Sequence, residues 1–105
     1  MFFERSDGRV WELLEKKIEQ KLVREVKKKG GIAPKWVSPG FAGIPDRIVL
    51  LPKGKIAFVE VKAPGEVPRP LQKARHQLLR KLGFKVYVLD DEKDIPEILK
   101  EVEEL

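Results

Sequence analysis

The chain has 105 residues, 42% of them apolar and 37% charged, enough hydrophobic material for one modest core beneath a heavily charged surface. It contains no cysteine, which excludes a disulfide framework and a thiolate metal site, and no uncharged apolar run approaches the ~18 residues of a membrane span. A formal net charge of +5 favours a polyanionic partner, although many small proteins share such a balance.

The opening residues 1–17 lack the basic-then-apolar layout of a secretory leader, so an intracellular protein is expected. Residues 9–29 predict a first helix. Trp11, Leu14, Ile18, Leu22 and Val26 recur at helical spacing as one apolar stripe, Lys27 to Lys29 suit the negative end of the helix dipole, and Gly30-Gly31 ends it. Residues 32–37 predict a short strand that Pro34 makes an edge or irregular one. Residues 38–45, with two prolines and two glycines, form a loop.

A hairpin follows. Pro52 at the first turn position and Gly54 at the left-handed one suit a three-residue loop between Leu51 and Lys55. Counting outward from that turn sets Asp46 opposite Glu60. Asp46, Ile48, Leu50, Ile56, Phe58, Glu60 and Lys62 then share one face, and Val49, Leu51, Ala57, Val59 and Val61 the other. Both faces are apolar over most of their length, so cover on both sides is expected, with the charges gathered at one end. After a proline-rich connection over 63–70, residues 71–83 predict a second helix with Leu71, Leu78, Leu79 and Leu82 inward. Residues 84–90 predict a strand, and Asp94 with Glu97 a capping box opening a final helix. The order α-β-β-β-α-β-α describes an α/β sandwich around a small mixed sheet, with residues 1–105 as a single domain.

Glu-x-Lys occurs four times, at Glu15/Lys17, Glu19/Lys21, Glu25/Lys27 and Glu60/Lys62. The first three lie on the predicted helix, where residues two apart diverge. Only Glu60 and Lys62 lie on a strand, on one face, with Asp46 alongside. Two carboxylates roughly 5 Å apart at Cβ repel unless something positive lies between them. Lys62 in a structural ion-pair cluster would serve. So would a divalent cation, since oxygen-rich sites with few protein ligands suit Mg²⁺.

Pro45-Asp46 followed by Glu60-Val61-Lys62 resembles the PD-(D/E)xK nuclease signature. The surrounding text is more specific: Gly30-Gly31, Lys35-Trp36-Val37-Ser38-Pro39-Gly40, Gly43-Ile44-Pro45-Asp46-Arg47, Phe58 to Gly65, Pro70-Leu71-Gln72 and Gly83 to Val88 together resemble the virus-type replication-repair nuclease domain, VRR-NUC. The resemblance spans about residues 12–95. It implies a restriction-endonuclease-like core and a Mg²⁺- or Mn²⁺-dependent DNA endonuclease, homodimeric and acting on branched DNA such as four-way junctions. An intracellular, phage- or prophage-encoded enzyme fits that family.

The resemblance also implies roles. Asp46, Glu60 and the Val61 carbonyl would bind the metal, and Lys62 would position the attacking water or stabilise the transition state. Glu19 on the first helix would complete the site, with Glu15 as the alternative one turn earlier. Gln72 would support the metal ligands and Lys62. Lys35, Arg47, Arg69, Lys73 and Arg75 lie on or near the framing segments and are candidate phosphate contacts. His76, four residues after Gln72, reads as a satisfied histidine rather than a catalytic base, and Trp36 as core packing. Two other readings are a non-catalytic nucleic-acid-binding module on the same fold and a restriction-type nuclease that needs a partner subunit.

Overall fold

The hairpin turn sets the register of everything around it. In the computed structural model, which describes residues 8–105, strand β1 (Arg47–Leu51) and strand β2 (Lys55–Val61) pair antiparallel, with Leu51 facing Lys55 and Arg47 facing Val59. Pro52–Gly54 form the three-residue turn, and both Lys53 and Gly54 adopt left-handed backbone there, at φ 70° and 72°. One step beyond the ladder, this register sets Asp46 against Glu60. A third strand, β3 (Lys85–Leu89), runs parallel to β2 and makes β2 the central strand.

The predicted 32–37 strand takes an irregular form. Two antiparallel bridges, Ile32 to Leu50 and Lys35 to Arg47, lay the segment along β1 without a continuous ladder. Pro34 lacks an N–H, yet its carbonyl still accepts from Ile48 N at 3.0 Å. Gly31 lets this segment approach: a Cβ there would lie 2.2 Å from Leu50 O and 2.9 Å from Leu51 Cδ2. Gly31→Ala is therefore expected to destabilise the protein by about 2–3 kcal/mol, because the obstructing atom is backbone and cannot swing aside. Urea unfolding measures it.

Helix α1 (Arg9–Lys28) and helix α3 (Ile95–Glu103) cover one face of the sheet. Ile18, Leu22 and Val26 from α1 and Ile95, Ile98, Leu99 and Val102 from α3 close over Val49, Leu51, Ala57, Val59 and Val61. The N-terminal end of the predicted stripe is less covered: Trp11 is half-buried and Leu14 exposed. The expected Asp94–Glu97 box does not cap α3. Asp91 instead accepts from Lys93 N at 2.9 Å and opens a 3₁₀ turn over Glu92–Asp94 that leads into the helix.

Helix α2 (Pro70–Lys81) lies on the other face and departs most from expectation. Of the four leucines expected to point inward, only Leu79 is buried, and Leu71, Leu78 and Leu82 are exposed. The inward face is Gln72, His76 and Leu79, spaced by four and three residues. Leu79 joins Phe58 and Val86 in a small cluster flanked by Trp36, Ile48 and Ile56. Trp36 packs on Phe58 with ring centroids 4.8 Å apart, which makes it part of that core. The two polar residues of the inward face need polar partners, and they find them at the charged end of the sheet.

Candidate active site

The site is built where β2 ends between α1 and α2. Glu60, only 1% exposed, projects toward α2. Gln72 Nε2 donates to Glu60 Oε2 at 2.9 Å, and His76 Nε2 lies 3.2 Å from Oε1. Lys62 Nζ stands 3.8 Å from Oε2. Asp46, at the entry to β1, accepts the Val61 N–H on Oδ2 at 2.7 Å, so the backbone of one strand fixes the carboxylate of the other. Lys62 N in turn donates to Leu89 O at 2.8 Å, carrying the β2–β3 pairing one residue past the strand.

From α1, Glu15 and Glu19 lie one turn apart and bear on the same place. Glu19 Oε2 accepts from Arg47 Nε at 2.7 Å, and Arg47 Nη1 donates to Ala33 O at 2.8 Å. Arg47, a candidate phosphate contact, is thus turned inward, its side chain only 16% exposed. Glu15 enters no ion pair within 4.0 Å among the described residues. Lys35, Arg69 and Lys73 are exposed, while Arg75 donates to Ala42 O at 2.8 Å and stacks 4.0 Å over the Phe41 ring.

Four carboxylates, Glu15, Glu19, Asp46 and Glu60, therefore surround two cations, Arg47 and Lys62, in a chain whose net charge is positive. The imbalance raises carboxyl pKa values. Burial and then the Asp46 charge push the Glu60 carboxyl up to about 8, against a weaker opposing pull from Lys62. Burial also raises Asp46, partly offset by the Val61 N–H, and raises Glu15 together with the charge of Asp46. Near neutral pH without a cation, Glu60 is therefore the carboxyl that keeps a proton. Burial, then Arg80 and Lys62, lower the His76 pKa, so its ring is neutral. Among the described residues no group of three or more His, Asp or Glu side chains is placed to hold a metal ion together. The donor set suits a cation that takes a few carboxylate oxygens and keeps water, as Mg²⁺ does.

A consequence for stability follows by linkage. Folded Glu60 keeps a proton that the unfolded chain releases near pH 4.5, so stability is fully present below that pH and falls as pH rises toward 8. Metal-free protein is expected to lose several degrees of melting temperature between pH 5 and pH 8. Added Mg²⁺ or Mn²⁺ is expected to restore more at pH 8 than at pH 5, as thermal melts at matched ionic strength would show.

A family model described as the VRR-NUC domain matches residues 4–91. The chain belongs to the VRR-NUC family. It is 57% identical over 88 residues to "Putative nuclease p44" of Acyrthosiphon pisum secondary endosymbiont phage 1, an alignment covering 84% of this chain and 94% of that protein. A solved structure named "VRR_NUC domain" superposes with a TM-score of 0.77 at 31% identity, over 82% of this chain and 94% of that one. The resemblance seen in the sequence and the α/β fold it implied both hold, and the VRR-NUC domain makes this a nuclease. Among the described residues, no helix is long and apolar enough to cross a membrane.

Asp46, Glu60, Lys62 and Gln72, the residues expected from sequence to form the site, lie close together, although 26 positions separate the first from the last in sequence. Two features escaped the sequence reading. His76 touches Glu60 directly, and the only prior signal was its spacing of four from Gln72 on a helix. The Glu19–Arg47 pair joins a helix residue to a strand residue, and no local pattern announces it.

Proposed function

We propose that the chain is a divalent-metal-dependent, structure-selective DNA endonuclease that hydrolyses phosphodiester bonds, working as a homodimer on branched substrates such as four-way junctions. The observation that carries the metal dependence is the cluster of four carboxylates against two cations at the end of β2. Asp46, Glu60 and the Val61 carbonyl would hold the cation, with Mg²⁺ or Mn²⁺ as the ion. When bound, such an ion supplies an activated water and charge stabilisation on phosphate oxygens.

The chain's own groups do the rest. Lys62, its side chain 13% exposed, orients toward the reacting phosphate and offsets the negative charge that grows on its oxygens. Gln72 holds Glu60 in place. Glu19, or Glu15 one turn before it, adds a carboxylate on the α1 side. Glu19 would first have to release Arg47, whereas Glu15 has no such partner among the described residues. Exposed Lys35, Arg69 and Lys73 would track the DNA backbone, and Arg47 and Arg75 would join only by leaving their internal bonds.

Dimerisation rests on geometry of a different kind. One active site makes one nick at a time, and symmetrical cutting of a junction needs two sites related by a two-fold axis. The interface would use α1 and the 30–41 segment, where Leu13, Ile32 and Val37 stand 67%, 61% and 76% exposed. The test is purified protein with Mg²⁺, against an EDTA control, on a labelled four-way junction, a flap, a linear duplex and single strands. Paired symmetric nicks by a species of twice the monomer mass in light scattering are expected. A stable monomer that cuts only flaps would overturn the junction-resolving part alone. Binding that survives EDTA with no cleavage by any metal would overturn the enzyme.

A further inference from the structure

A carboxylate held by one donor still swings about its last bond, whereas donors on both oxygens fix its plane. Glu60 has two such donors, on different oxygens and from successive turns of α2: Gln72 Nε2 at 2.9 Å from Oε2 and His76 Nε2 at 3.2 Å from Oε1. Gln72 is itself oriented, because Arg69 N donates to its Oε1 at 2.8 Å and so leaves the amide NH₂ for Glu60. With a cation bound Glu60 is ionised and only accepts, so in that state His76 presents Nε2–H to it.

We propose that His76 is a positioning residue for cation binding, completing with Gln72 a two-point clamp that turns the free lone pairs of Glu60 toward Asp46. The inference rests on the assignment of Asp46 and Glu60 as metal ligands. His76 is 2% exposed and buried against the sheet, and Glu60 is the polar partner its Nε2 reaches. A ring needed only to fill that space would be replaced without loss by an apolar side chain of similar volume. A ring that aims a ligand would not. Removing a hydrogen-bond partner of a metal ligand typically costs about 10- to 100-fold in metal affinity or activity.

The experiment compares His76→Leu, which keeps bulk and removes the donor, with His76→Gln, which restores an N–H at similar reach. Mn²⁺ affinity is read from the free-ion signal in electron paramagnetic resonance, and kcat and KM on whichever DNA the wild type cuts fastest. His76→Leu is expected to weaken Mn²⁺ binding and lower kcat about 10- to 100-fold with KM for DNA little changed, and His76→Gln to recover most of both. Should His76→Leu not fold, His76→Asn, whose amide stops short of Glu60, takes its place. Wild-type Mn²⁺ affinity in the donor-less variant, or equal loss in His76→Gln, overturns the clamp while leaving the metal assignment intact. Failure of the wild type itself to bind Mn²⁺ overturns the assignment and the clamp together.

Discussion

Glu60→Gln is expected to abolish cleavage and, in metal-free protein at pH 8, to raise the melting temperature. Both effects come from one change of charge. Glu60 sits almost fully buried beside Asp46, with its carboxyl pushed up to about 8, so keeping it ionised costs folding energy at that pH. Glutamine removes the charge and keeps the shape. Its carbonyl can accept from Gln72, and its amide can donate to His76 Nε2 once the neutral imidazole shifts its proton to Nδ1. Lys62 loses its partner, which offsets part of the gain. A net rise of about 1 kcal/mol, roughly 4–8 °C, is expected. Loss of a ligand carboxylate removes several kcal/mol of transition-state stabilisation, on the order of 10³-fold or more in rate. Asp46→Asn should behave alike, since an asparagine carbonyl can still accept the Val61 N–H. A Glu60→Gln variant that melts lower than wild type at pH 8, or cuts at the wild-type rate, contradicts the assignment.

Lys62→Ala is expected to cut turnover by about 10²–10³-fold while changing DNA affinity little. Lys62 is one of 22 lysines and arginines, so its share of long-range attraction to a polyanion is small. Its place is not shared: its ammonium stands 3.8 Å from Glu60, and among the described residues no other lysine pairs with that carboxylate. Single-turnover rates and filter-binding affinities, measured side by side, separate the two quantities. A variant that loses affinity and keeps its single-turnover rate would make Lys62 a phosphate anchor and remove it from the chemistry.

The site carboxylates were legible in sequence because a turn fixes them. Pro52 and Gly54 determine the loop length, and every residue of the hairpin follows from it by counting, including Asp46 against Glu60. The second helix was misread because its leucines suggested a greasy inner face. Its actual inner face is chosen by a long-range partner, since Glu60 recruits Gln72 and His76 and so rotates Leu71, Leu78 and Leu82 toward solvent. The start of α3 failed for a local reason: Asp90, Asp91, Glu92 and Asp94 offer several capping residues in a row, and sequence does not rank them. Arg47 looked like a surface cation because its internal partners, Glu19 and Ala33, come from distant parts of the chain.

Because α2 is anchored to the sheet partly through Glu60, whatever alters that carboxylate also alters how firmly the helix is seated. Backbone amides in the middle of α2 can exchange with deuterium only when the helix opens, and opening requires Gln72 and His76 to let go of Glu60. Their protection factors would therefore report occupancy of the site from a distance, with no substrate present. The helix also carries Lys73, exposed on its outer side, so a loosened α2 would disturb the proposed DNA-facing surface and the proposed metal centre at the same moment.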